Sequence, residues 1–350
     1  MQLDKYITSD KIFYHLGTLN DWENGATIKP VTLEIHPSNK CNNDCYYCSS
    51  NGTKDGHMMS LMEIRKAVNN IHKLGARGLI FSGGGEPLCN PFTIRSLKHA
   101  KQLGLSVGII TNGLMINEDN AGELLKHCEW IRISLDSLNT GIYQLIRGVN
   151  GLSQAEKALA LLLRKRAELG YMCTIGVQTV INRYNYKDIY NFAEKIEREF
   201  RKIDYIQIRP LEITLGSSPY SKKELTLIKQ ELDKIYKDKT IRKTILSTKL
   251  KLIFGAREHG FSACHCYGMI GTIHAYGDIY ICCHTVKQPI FKYGNIIHDK
   301  TSDIFKRRAA VAKKTIKYRL HKICPIGCRG SAINRRLQGL MTGKEHKNFL

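Results

Sequence analysis

The sequence predicts an α/β chain: a partial (β/α)6 barrel over residues 31–240, preceded by an N-terminal extension (1–30) and followed by a small α+β module (250–350) of a β-hairpin plus helix. Two observations predict it. From Val31 onward, short runs rich in Ile, Val and Leu alternate with longer amphipathic stretches, and six such units in series require a parallel sheet joined by crossovers. Cysteines gather at two places, one directly behind the first strand and one around a hairpin turn in the last third of the chain.

In chain order, residues 1–30 show no clean period and are expected to cover one end of the barrel. Strands are read at 31–35, 78–82, 106–111, 130–135, 174–181 and 205–208, with helices at 61–74, 91–103, 118–127, 152–170, 187–200 and 221–237. In the helix at 152–170, Ala155, Ala158, Leu159, Leu162 and Leu163 recur with helical spacing, and Arg164-Lys165-Arg166 is assigned to the solvated side. The strands are too few for a closed eight-unit barrel, so the barrel is read as open. Ligand-binding groups on such sheets sit at the carboxyl ends of the strands.

A chain of 350 residues, 43% hydrophobic with 8 Pro, can bury a large core and reads as globular and cytoplasmic. No window approaches the roughly 18 apolar residues of a membrane span, and the N-terminus has no basic segment leading into an apolar one. Twelve cysteines in such a chain point to metal or redox chemistry rather than a disulfide framework. The net charge of +22 is uneven, since residues 301–350 hold 13 Lys/Arg against 2 Asp/Glu. A positive field favours phosphates, nucleotides, acidic peptides or nucleic acid, although a solvated basic surface has the same composition.

The segment Cys41-Asn42-Asn43-Asp44-Cys45-Tyr46-Tyr47-Cys48 follows the first strand. Three thiols are one short of the closed tetrahedron of a structural zinc, whereas a four-iron cluster held by three thiolates keeps one iron open for another ligand. Isolated C-x-x-C pairs also occur as buried, reduced thiols. After the second strand comes Gly83-Gly84-Gly85-Glu86-Pro87. The two motifs and their strand order resemble the radical S-adenosylmethionine (SAM) superfamily over residues 30–215.

That resemblance implies an open barrel, a [4Fe-4S] cluster on Cys41, Cys45 and Cys48, and SAM chelating the open iron. It also implies reductive cleavage of SAM to a 5′-deoxyadenosyl radical that abstracts hydrogen from a substrate, with a flavodoxin- or ferredoxin-type electron donor. Residue by residue, Gly84, Gly85 and Glu86 match the motif that holds the SAM amino group, and Tyr47 the aromatic position beside the adenine. Ser134 matches a position facing the ribose or methionyl end, and Arg147 resembles an arginine gripping the SAM carboxylate. Asn112 ends the third strand in the turn Thr111-Asn112-Gly113 and joins the cofactor set. A run of three glycines is also an ordinary turn, and Arg147 is equally read as a surface cation.

The C-terminal cysteines resemble a Twitch/SPASM auxiliary domain. Gly277-Asp278 is a hairpin turn between 273–275 and 279–281 that brings Cys266 and Cys282 together, and Cys324 and Cys328 complete four ligands for a second [4Fe-4S] cluster. Zinc suits four thiolates as well. Cys283 and Cys264 are then spare, and each is a candidate to return a hydrogen atom to a substrate radical. Three substrate classes follow. One is a small polar molecule of sugar, aminoglycoside or nucleotide type, oxidised, epimerised or subjected to elimination. The second is a short ribosomal peptide, epimerised or cross-linked through a thioether. Nucleic acid bound by a basic protein with structural zinc comes last, because it leaves the N-terminal thiols and Glu86 without a role.

Overall fold

The structure is a computed structural model that describes residues 9–50, 54–211, 219–247, 250–255, 260–286, 288–317, 324–325 and 328–342. Among the described residues ten strands form one sheet: β1 (Thr32–Ile35), β2 (Gly78–Phe81), β3 (Ser106–Thr111), β4 (Trp130–Ser134), β5 (Thr174–Ile181), β6 (Tyr205–Pro210), β7 (Thr244–Leu246), β8 (Ile270–Ile273), β9 (Asp278–Tyr280) and β10 (Lys292–Asn295). The order is β10-β9-β8-β1-β2-β3-β4-β5-β6-β7. All six expected strands are present. Two further strands pair in parallel at the ends of the six, β7 on β6 and β8 on β1, so the parallel run is eight strands wide. Both are short, three and four residues, which is why no periodic signal announced them. The cysteine hairpin β8–β9 turns at Gly277, whose φ of +83° is a conformation glycine adopts readily, and it continues the barrel's own sheet through β8.

The helices are α1 (Leu16–Glu23), α2 (Leu61–Lys73), α3 (Thr93–Gln102), α4 (Glu118–His127), α5 (Thr140–Arg147), α6 (Leu152–Leu169), α7 (Ile189–Glu199), α8 (Lys222–Lys237), α9 (Leu250–Ile253), α10 (Thr301–Lys317) and α11 (Ser331–Thr342). Capping boxes at Ser60/Glu63, Asn117/Asn120 and Ser221/Glu224 start α2, α4 and α8 by satisfying free backbone N–H groups.

The strands divide the sheet into two unlike faces. One carries Leu33, Ile35, Leu79, Phe81, Ile109, Ile131, Ile133, Ile175, Val177, Ile206 and Ile208, all fully buried in a single apolar core. Alternation places Glu34, Ser82, Arg132, Ser134, Gln178, Gln207 and Arg209 on the opposite, inner face. Ile80 and Ile110 share that inner face, so it joins polar groups to apolar ones, as a small-molecule pocket does.

Residues 9–31 do not simply cap the barrel, as expected. Ile12 and Ile28 share a separate core with Met269 and Leu337 of α11, Trp22 meets His265 edge-on, and Arg336 pairs with Asp10 at 2.7 Å. Arg308, counted in sequence with a basic stretch, is buried and donates to the carbonyls of Ile28 and Gly268. Arg166 is likewise turned inward, onto Asp204. No helix among the described residues is long and apolar enough to cross a membrane.

Candidate active site

Cys41, Cys45 and Cys48 are half-buried on the loop after β1. The loop is fastened at both ends by backbone. Glu86 N–H donates to the Lys40 carbonyl and Gly85 N–H to Ser38, both at 2.9 Å, which lays the glycine segment along the cysteine loop. A Cβ on Gly85 would collide with the Lys40 carbonyl, so this glycine is demanded by the chain's own backbone. At the other end, Asp44 N–H donates to Arg147 O at 2.8 Å and Tyr46 N–H to Ile146 O at 3.2 Å, supplying donors to the free carbonyls that end α5. Gly148 closes that helix at φ +70°, and a Cβ there would lie 2.6 Å from the Asp44 carbonyl.

Glu86 is buried. Its Oε1 accepts from the Thr111 hydroxyl at 2.7 Å and from Leu88 N–H at 3.1 Å, and its Oε2 from Asn112 N–H at 2.7 Å. Three of its roughly four acceptor positions are therefore taken by protein donors, leaving one on Oε2. Burial raises its proton affinity against those hydrogen bonds. Asn112 reaches back through Nδ2 to Asn42 Oδ1 at 2.7 Å, joining the end of β3 to the cysteine loop.

Arg147 is not a surface cation. It is 5% exposed, and its Nη2 lies 2.8 Å from Asp136 Oδ2 while its Nη1 lies 3.7 Å from Cys45 Sγ. Asp136 also accepts from the Tyr47 hydroxyl at 2.7 Å and from Val180 N–H at 2.9 Å. Burial works against the guanidinium charge, but the Asp136 carboxylate more than offsets it and holds Arg147 protonated. Asp136 is the hub joining Tyr47, Arg147 and β5. Ser134 is half-buried, opposite Gln178 of β5.

In the C-terminal region a pocket is lined by all six cysteines: Cys264, Cys266, Cys282, Cys283, Cys324 and Cys328. The four expected ligands are together, and the two expected spares line the same wall. Asn334, fully buried on α11, holds the turn: its Oδ1 accepts from His265 N–H at 2.7 Å and Cys266 N–H at 2.8 Å, and its Nδ2 lies 3.6 Å from Cys264 Sγ. A Cβ on Gly330 would fall 2.9 Å from Cys266 Cβ. The sequence offered no signal for Asn334, because its partners are backbone groups some seventy residues away. Among the described residues no three His, Cys, Asp or Glu side chains are drawn together tightly enough for a single ion. A four-iron cluster spaces its thiolates more widely than one ion does.

Residues 35–196 match the model of the Radical SAM superfamily. That stretch is a radical SAM domain. The chain is 28% identical over 202 residues to an S-adenosylmethionine-dependent nucleotide dehydratase of Lacinutrix mariniflava, covering 54% of this chain and 41% of that protein. It is 26% identical over 183 residues to the mycofactocin maturase MftC of Mycobacterium ulcerans, covering 52% and 48%. The chain thus spans about half the length of these curated relatives. The fold is shared with Streptococcus suis SuiB bound to S-adenosylmethionine, at a TM-score of 0.64 and 16% identity over 91% of this chain and 78% of that one.

Radical SAM proteins bind SAM and a [4Fe-4S] cluster, and the N-terminal loop suits that pair on its own chemistry. A cluster carried by three thiolates is anionic. Beside the thiols stand Arg147 and Lys54, whose Nζ lies 3.2 Å from Asn43 O and 3.2 Å from Asp44 Oδ1. Without a metal, burial pushes the Cys41 thiol up to about 11, so metal entry must displace a proton.

Proposed function

We propose that this radical SAM protein is an enzyme that removes a hydrogen atom from a small, polar, anionic substrate held on the inner face of the barrel. Cys41, Cys45 and Cys48 would hold the SAM-binding [4Fe-4S] cluster, and Tyr47, Gly84, Gly85, Glu86, Asn112, Ser134 and Arg147 would bind or position SAM. Bound and reduced, SAM supplies a 5′-deoxyadenosyl radical competent to abstract hydrogen from an unactivated carbon.

The chain's own residues fix the frame for that chemistry. Glu86 and Asn112 tie the ends of β2 and β3 to the cysteine loop, while Asp136 and Arg147 tie it to β4 and α5. Cys266, Cys282, Cys324 and Cys328 would hold a second [4Fe-4S] cluster. Six thiols around one pocket leave two beyond a four-thiolate cluster, and Cys283 and Cys264 are the candidates for hydrogen return.

The observation that carries the substrate reading is the inner face itself, which bears Glu34 on β1 and Arg132, Ser134, Gln178, Gln207 and Arg209 on β4 to β6, beside the apolar Ile80 and Ile110 of β2 and β3. A nucleotide is what the Lacinutrix relative's name says it acts on, and it has that chemistry. The test is anaerobic reconstitution followed by dithionite and SAM. About eight irons per chain and release of 5′-deoxyadenosine are expected, with Cys41→Ala abolishing the release. A protein that accepts iron yet yields no 5′-deoxyadenosine ends the reading.

A further inference from the structure

The C-terminal cysteine pocket carries a fixed charge that is tied to the barrel. Arg329 follows Cys328 directly, and its side chain, 41% exposed, lines the pocket. His284 lines it too but is charged only when protonated, so among the described lining residues Arg329 is the one with a permanent charge. Its Nη2 donates to Oε2 of Glu34, a residue 295 positions earlier on β1.

Glu34 belongs to the inner face of the barrel and not to the pocket lining, and its side chain is 7% exposed. Its other oxygen, Oε1, accepts from the Ser82 hydroxyl at the end of β2 and lies 3.3 Å from Nε2 of His36. Both oxygens are engaged, so the carboxylate is held in one orientation. Thr272 of β8 sits opposite Glu34 in the parallel register and also lines the pocket. The pocket and the inner face therefore meet at one ion pair, where β8 joins β1. On the barrel side, Nδ1 of the buried His36 has no hydrogen-bond partner among the described residues. That atom is left for a ligand on the inner face.

A four-thiolate cluster gains a negative charge when it is reduced, so a cation beside it favours the reduced form. A carboxylate paired with that cation offsets the effect. We propose that Arg329 and Glu34 are positioning residues through which the charge on the barrel's inner face sets the reduction potential of the C-terminal cluster. Arg329 raises the potential and Glu34 restrains it. By reciprocity, reduction of the cluster changes how strongly the inner face holds a charged ligand. This rests on the reading that Cys266, Cys282, Cys324 and Cys328 hold a [4Fe-4S] cluster.

The test is a potentiometric titration of reconstituted full-length protein, read by electron paramagnetic resonance with and without SAM. SAM alters the signal of the N-terminal cluster, which marks the other signal as C-terminal. Arg329→Gln is expected to lower the potential of the C-terminal cluster and Glu34→Gln to raise it, with the N-terminal potential unchanged in both. Arg329→Lys keeps the charge and should stay near wild type. Residues that only held the fold would not move the potential in opposite directions. Unchanged C-terminal potentials in Arg329→Gln and Glu34→Gln overturn the proposal, and so do shifts of the same sign. If Arg329→Gln does not keep its second cluster, Glu34→Gln decides alone, and a potential at or below that of wild type overturns the proposal. Wild-type protein with about four irons and a single signal ends the cluster reading and the proposal with it. Two signals with unmoved potentials remove the joint alone.

Discussion

Asp136 and Arg147 form an ion pair of 2.8 Å in which the side chains are 0% and 6% exposed, and the guanidinium reaches on to Cys45. A buried pair adds little net stability when both partners are present, yet removing one leaves an uncompensated charge out of water. Asp136→Asn should therefore cost about 3–5 kcal/mol. Replacing both partners, as in Asp136→Leu with Arg147→Met, should recover part of that loss, because neither charge is then buried. Urea denaturation of the metal-free protein measures both variants. Equal midpoints for wild type and Asp136→Asn contradict the pairing.

Gly148 is required twice, by its φ of +70° and by the Asp44 carbonyl against its α-carbon. Gly148→Ala should cost about 1–3 kcal/mol in backbone strain alone. Because the strain falls on the peptide between Cys41 and Cys45, iron uptake by the N-terminal site should fall with it. Gly170→Ala is the control. That glycine also has positive φ but has open space around it, so it should lose stability without losing iron.

Much of this was legible in the sequence because it rests on local pattern. The six long strands announced themselves through apolar runs, and Glu86 and Cys41 through motif spacing. The rest rests on long-range pairing, which spacing does not encode. β8 joins β1 across more than two hundred residues and turns an expected separate module into a continuation of the barrel sheet. Arg308 reads in sequence as one cation in Lys306-Arg307-Arg308, yet it is the one turned inward onto two backbone carbonyls. Arg147 reads equally as surface or site, and only the position of Asp136 decides between them.

Asn334 satisfies two backbone N–H groups at the Cys264–Cys266 turn. Asn334→Ala strands both in a buried place, at about 1–3 kcal/mol each. The damage should be confined to the C-terminal pocket. Reconstituted protein should then fall from about eight irons to about four, with the N-terminal cluster retained. Loss of iron from both sites, or from neither, shows that Asn334 does not serve this turn.

Glu86 tests whether its carboxylate or merely its shape matters. Gln is nearly isosteric but carries an amide NH2 where the native oxygens accept from Thr111, Leu88 and Asn112. Whichever way the amide turns, at least one of those donors faces another donor, a penalty of about 1–3 kcal/mol. Glu86→Gln should loosen the joint between β3 and the cysteine loop and slow reductive cleavage of SAM while iron content holds. Glu86→Asp keeps the charge but retracts it by one methylene, so it should also slow cleavage. Measured 5′-deoxyadenosine release equal to wild type in both variants would show that the cofactor pocket does not depend on this joint.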